Sequence, residues 1–277
     1  MPGRLFLFFI GNGFSIFAFI APEIMKNIQA ILSAIFILCL LLTAACSSKE
    51  TTDPQQIVDQ AIAAHGSQRL DQAVVTFKFR DIRYRVLRDQ GAFVYSRTFT
   101  NDSTGQRIHD VMSNSGFKRT ADDVEVELPE ERQQAYTSSI NGVVYFALLP
   151  YFLNDAAVQK EYLGEAKIQG EPYHKVKVTF AQEGGGEDHE DIYVYWFHQL
   201  RHTMDYLAYS YEEEDGRGSR FRKAINPRKV GGVLFQDYYN YTSKEKFPLE
   251  NYDKAFEAGT LQKVSDINLE EVQVSEL

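Results

Sequence analysis

From Ala73 to Val86 apolar side chains recur at every second position, and no other feature restricts the fold so tightly. Val75, Phe77 and Phe79, then Ile82, Tyr84 and Val86, alternate with Thr76, Lys78, Arg80, Arg83 and Arg85. A period of two places successive side chains on opposite faces of a strand, so one face is apolar and the other wet. Residues 73–86 read as one long strand bent near Asp81. Residues 93–100 and 107–113 read as two more strands, and 117–120 and 124–128 as two short ones. Gly91, Asn101 to Gly105 and Asn114-Ser115-Gly116 supply the turns, so the five strands form an antiparallel meander.

The alternation resumes after an interruption. Residues 160–168, 173–182, 192–197, 203–209, 221–226 and 233–241 form a second meander. Residues 264–274 read as a single last strand, with 255–261 as an undefined link. The expectation is a mainly β (α+β) chain: a curved antiparallel sheet or half-barrel of about 11 strands in one domain over 54–277. Two helical segments accompany it. Asp53-Pro54 is a cap followed by proline at the first helical position, and Ile57, Val58, Ala61 and Ile62 follow at helical spacing. Gly66 stops this helix at 54–65, where His65 reads as a capping cation. Pro129 opens the mid-chain insert, polar at first and then apolar on nearly all sides, as a buried helix is. Gly142 and Pro150 are expected to break the insert into pieces.

The N-terminal region reads as an address. The apolar run 28–42 follows Met25-Lys26-Asn27 and precedes Thr43-Ala44-Ala45, the layout of a secretory signal. Leu42-Thr43-Ala44-Ala45-Cys46 resembles the lipobox of bacterial lipoproteins, departing from it in having Thr43 where Leu, Val or Ile is usual. The resemblance implies cleavage before Cys46 and acylation of that residue. Each buried methylene contributes about 0.8 kcal/mol, so two or more chains anchor stably. The alternatives are a plain signal peptide and a transmembrane anchor with an incidental cysteine. A second apolar run, Leu5 to Ala21, lies upstream, but Met25 to Ala45 is already a complete signal. Translation is therefore expected to start at Met25. On this reading residues 1–45 are signal region, 46–53 a polar tether, and the remainder the domain.

Charge and cysteine usage narrow the function classes. The chain carries a net charge of −9, and Arg4, Lys26 and Glu23 in residues 1–45 account for +1, leaving −10 on the mature part. Such a balance argues against nucleic acid or anionic lipid surfaces as electrostatic partners. Of the two cysteines, Cys39 lies in the signal and Cys46 is the acylation site, so no thiol remains for a disulfide, a nucleophile or a metal. The domain must be held by its core, for which 16 Tyr and 20 Phe provide material.

Chemistry-bearing constellations are sparse. Glu187-Asp188-His189-Glu190-Asp191 lacks the spacing of a calcium loop and, beside Gly184-Gly185-Gly186, reads as a solvated hairpin tip. His198 and His202 flank an expected turn without a third ligand. Glu212 to Asp215 reads as a charged turn. No nucleophile elbow, P-loop or dinucleotide fingerprint occurs in the mature chain, and no metal or cofactor is expected. The remaining candidate is an apolar cavity lined by Tyr145, Phe146, Leu149 and Phe152 of the insert, facing Tyr193, Tyr195, Trp196 and Tyr206 of the strands. A filled core is the competing outcome for the same residues.

The layout of helix, meander, helical insert and second meander resembles the LolA/LolB/LppX-like fold of lipoprotein carriers and lipid-binding envelope proteins. Gly170 to Phe180, Tyr193-Val194-Tyr195-Trp196-Phe197 and Met204-Asp205-Tyr206-Leu207 resemble its core hairpins. The opening Ile57 to Gly66 is also similar to uncharacterised lipoproteins of Bacteroidota-type bacteria. The resemblance implies a half-barrel plugged by helices and carries over no catalytic residue. The expectation is therefore a lipid-anchored envelope protein that binds a lipid or other apolar ligand without catalysis. Its partners are a membrane, through the acyl chains, and a possible lipid ligand. Ser47, in place of an inner-membrane retention aspartate, favours the outer membrane. The alternatives are a structural or interaction module with a filled core, and a glycan or lipid hydrolase.

Overall fold

The computed structural model describes residues 52–183, 190–213 and 216–277. The signal region, Cys46 and the tether up to residue 51 lie outside the described residues, as do Glu187-Asp188-His189 of the acidic tip and Glu214-Asp215.

Helix α1 (Pro54–His65) forms where its caps require. The Asp53 carboxylate accepts the Gln55 N–H at 2.9 Å, Pro54 occupies the first turn, and Gly66 ends the helix at φ 66°. Only glycine fits at residue 66, because a Cβ there would also run into the carbonyl oxygen of Gly232. His65 corrects the expectation of a capping cation. It is buried, its Nε2 accepts the Met204 N–H at 3.1 Å, and burial lowers its pKa to about 4, with Asp205 opposing the shift. The ring is therefore a neutral acceptor.

Fourteen strands occur among the described residues, in two seven-stranded antiparallel sheets. The first contains β1 (Gln72–Phe79), β2 (Ile82–Asp89), β3 (Ala92–Thr100), β4 (Arg107–Ser113), β5 (Gly116–Ala121) and β6 (Val124–Glu125). The second contains β7 (Val158–Ile168), β8 (Glu171–Phe180), β9 (Tyr193–His198), β10 (Met204–Glu213), β11 (Gly216–Val230) and β12 (Val233–Thr242). Each sheet receives one strand from the C-terminal segment: β13 (Gln262–Ile267) pairs with β12, and β14 (Glu270–Glu276) pairs with β1.

Three expectations are corrected. The run 73–86 is a hairpin rather than a bent strand: Phe77 faces Tyr84, Phe79 faces Ile82, and Arg80 turns at φ 55°. The three-residue step from Phe79 to Ile82 is the trace a two-residue turn leaves in a period of two. The run 264–274 is two strands in different sheets, divided at Asn268-Leu269. At the division the Leu269 N–H donates to Asp237 at 2.9 Å, and Arg228 donates to the Leu269 carbonyl while pairing with Asp237 at 3.1 Å. Finally, Gly142 does not break the insert. Helix α2 (Glu130–Leu148) runs through it unbroken and ends before Pro150.

The core has three parts. Ile57, Val58, Ala61 and Ile62 of α1 pack on Val176, Tyr195, Phe197 and Leu207 of the second sheet. Val75, Phe77, Tyr84, Val86 and Tyr95 of the first sheet pack on α2. The opposite face of the second sheet is also buried, beneath helix α3 (Tyr252–Glu257) and its flanks, with Trp196, Phe221 and Tyr252 at the centre. Lys175 holds this outer layer by pairing with Asp253 at 2.8 Å and donating to the Glu250 carbonyl.

Candidate functional site

Helix α2 touches both sheets and positions the site. Polar contacts fix its first half. Buried Asp110 of β4 accepts Arg97 Nε at 2.7 Å and Arg119 Nε at 2.6 Å, Arg97 donates on to Ser139 at 2.9 Å, and the Arg119 guanidinium lies 3.9 Å from the centre of the Tyr136 ring. Further along, Ile140, Val144 and Leu148 recur every four residues and bury one stripe against the first sheet. Tyr145 and Phe146, part of a turn around the helix, pack on the second sheet.

The predicted lining residues divide into two groups. Tyr145 stacks on Phe152 at 5.5 Å and lies 5.8 Å from Tyr193, which stacks on Tyr195 at 6.0 Å. The Tyr145 and Tyr195 hydroxyls meet at 3.1 Å, and Leu149 belongs to the same cluster. These residues are brought together, and they fill the space between them. Trp196 and Tyr206 are not part of this group. They lie on the outer face, where Trp196 Nε1 donates to Asp253 and Tyr206 stacks on Phe221 at 5.7 Å.

Packing stops on the far side of Phe146. A cavity of about 110 Å³ lies between α2 and the seam of the two sheets. Gly142, Val143, Phe146 and Ala147 of α2 form one wall. Arg222 of β11, Gln236 and Tyr238 of β12, Ile267 of β13, Leu269 and Phe79 form the rest. The space beside Gly142 is open, since a Cβ there would have no atom within 4 Å. Phe146 alone of the expected lining residues reaches this cavity.

Two buried side chains give the cavity its polarity. Arg222 is 8% exposed and Gln236 6%. The Arg222 guanidinium lies 3.9 Å from the centre of the Phe146 ring and 5.0 Å from that of Tyr209, whose hydroxyl accepts from Nη2 at 2.8 Å. Arg222 Nε and Gln236 Oε1 have no hydrogen-bond partner, nor does Asn240 Oδ1, directly across the ladder from Arg222. Buried polar groups are normally paired, so three orphans on neighbouring positions of β11 and β12 mark this spot. The lining contains no Ser, Cys, His, Asp or Glu, and burial pushes the Tyr238 phenol well above its usual range.

His198 lies away from this cavity. His198 Nδ1 accepts the Leu200 and Arg201 N–H groups at 3.1 Å each, and Nε2 lies 2.8 Å from Glu171. Among the described residues, no three His, Cys, Asp or Glu side chains are grouped to hold a metal, and no helix is long and apolar enough to cross a membrane.

Fold and cavity define a class: an antiparallel two-sheet protein with α1 and α2 on the inner face, α3 on the outer face of the second sheet, and a small, mostly apolar cavity beneath α2. The chain belongs to a family of unknown function, DUF6503, whose family model matches residues 33–269. No curated protein matches the chain. Solved structures similar to it include a DUF1329 family protein from Desulfovibrio piger, with a TM-score of 0.47, 11% identity, and 80% of this chain and 93% of that chain covered. A LolA superfamily protein from Nitrosomonas europaea has a TM-score of 0.42, 10% identity and coverage of 82% and 93%. The Mycobacterium tuberculosis lipoprotein LppX has a TM-score of 0.26, 16% identity and coverage of 60% and 92%.

Proposed function

We propose that this is a cell-envelope lipoprotein, attached to the outer membrane through acyl chains on Cys46, whose β domain binds a lipid or other apolar ligand without transforming it. The observation that carries the reading is the cavity under α2, lined mostly by apolar side chains and open at Gly142. A lining that is apolar apart from Arg222, Gln236 and the Tyr238 hydroxyl supports binding of an apolar ligand. The lipobox-like sequence at Leu42 to Cys46 supports the anchor.

Native mass spectrometry of the protein extracted from membranes tests the binding. The expected result is a co-purifying lipid mass, displaced by a fluorescent fatty acid. Bare protein that takes up no probe overturns the reading and favours an interaction module with a filled core. For the anchor, Cys46→Ser is expected to move the protein from the membrane to the soluble fraction. Retention of that variant in the membrane overturns the lipoprotein assignment.

A further inference from the structure

We infer that the ligand is a single-chain amphiphile with an anionic oxygen head, and that Arg222 and Gln236 read the head while the chain lies along α2. This rests on the proposed binding at the cavity and specifies what is bound there.

The charge argument comes first. A buried cation is stable in a protein when a carboxylate compensates it. Arg97, Arg119 and Lys175 follow this rule with Asp110 and Asp253. Arg222, buried as deeply, pairs with no carboxylate among the described residues. Its contacts are two ring faces and the Tyr209 hydroxyl, which hold one edge of the guanidinium and leave Nε without an acceptor. Water in the cavity can accept from Nε, but it does not neutralise the guanidinium. An anionic oxygen supplies both the acceptor and the charge.

Gln236 completes the head site. It lies two residues from Tyr238 on β12, on the face that meets α2, and its Oε1 is unpartnered. Its amide can accept from a hydroxyl or, turned over, donate to a second oxygen. Val143, Phe146, Ala147, Ile267 and Leu269 of the remaining wall offer apolar contact and suit an alkyl chain. A neutral lipid would leave Arg222 uncompensated, and a cationic one would be repelled. Fatty-acid carboxylates and alkyl phosphates share the required chemistry.

Isothermal titration of the purified mature domain with dodecanoate, dodecyl phosphate and dodecanol tests the inference. Both anions are expected to bind at least about tenfold more tightly than dodecanol, the effect of one hydrogen bond to a charged group. The tighter of the two anions identifies the head. In Arg222→Met the preference over dodecanol is expected to fall to about unity, and Gln236→Leu to weaken it partially. Equal binding of all three ligands to the wild type overturns the head-group inference and leaves the apolar-ligand reading standing. Failure of all three to bind overturns both. A full anion preference retained in Arg222→Met assigns the head to other residues and also overturns the inference. The wild-type ranking decides the matter even where a variant does not fold.

Discussion

The guanidinium of Arg222 lies 3.9 Å from the centre of the Phe146 ring, so the helix and the sheet meet across a charge at the edge of the cavity. A cation on a ring face gains about 0.5–2 kcal/mol, which does not offset the desolvation of an unpaired guanidinium. Arg222 is thus expected to cost stability in the free protein. Arg222→Met keeps an apolar stem against Phe146 and removes the charge. Its unfolding free energy in urea is expected to stay within about 1 kcal/mol of wild type or to rise. A fall of more than about 2 kcal/mol would make Arg222 a structural strut.

Gly142 sits inside a continuous helix, where glycine costs about 0.5–1 kcal/mol relative to alanine. A Cβ at this position meets nothing within 4 Å. Gly142→Ala is therefore expected to raise the unfolding free energy by about 0.5–1 kcal/mol, read from the denaturant midpoint at unchanged slope. A larger side chain would close the cavity: Gly142→Phe is expected to abolish uptake of a fluorescent fatty acid while the circular dichroism spectrum is retained. A destabilised Gly142→Ala would mean that the helix needs glycine for a reason other than space.

The same glycine shows where the sequence could be read and where it could not. Caps and periodicity located α1 because its signals are local: Asp53 reaches Gln55, and Gly66 turns the chain. The alternation of β1 and β2 was also visible, because that part of the sheet has one buried face. The second sheet is different. All six residues of β9 are buried, since α1 covers one face and the α3 segment the other. Alternation there no longer separates inside from outside. Trp196 and Tyr206, expected to face Tyr145, lie on the outer face instead, and no local signal singles out Arg222. Gly142 was read as a helix breaker, a local rule that tertiary packing on two sheets overrides. The division of the last strand at Leu269 depends on Asp237 and Arg228, both more than thirty residues earlier in the chain. No local pattern encodes such a contact.

Asp110 is a buried charge of the opposite kind from Arg222. It is fully buried and accepts three hydrogen bonds, one from Arg97 Nε at 2.7 Å and two from Arg119, at 2.6 and 2.8 Å. Removing it leaves two guanidinium groups uncompensated beneath the first half of α2. Asp110→Ala is expected to destabilise the domain by about 3–5 kcal/mol, measured by urea unfolding. Arg97 also donates to Ser139, so hydrogen exchange across 130–142 is expected to accelerate more than in β8 or β9. A loss below about 1 kcal/mol would show that water replaces the pairs.

Burial of His65 gives the fold a response to acid. Folded, its pKa is lowered to about 4 by burial, while an unfolded chain returns it to about 6.5. Between these values the unfolded state binds a proton that the folded state does not, so stability falls as pH drops from about 6.5 to 4. Above pH 6.5 the contribution is fully present. Below 4 it is lost, and a shift of this size corresponds to about 3 kcal/mol. A protonated Nε2 could no longer accept the Met204 N–H, so the contact between the end of α1 and the start of β10 is lost with it. In His65→Gln, whose amide oxygen can accept the same N–H, the slope of unfolding free energy against pH is expected to flatten across that window. A slope unchanged in that variant would assign the acid sensitivity to other groups.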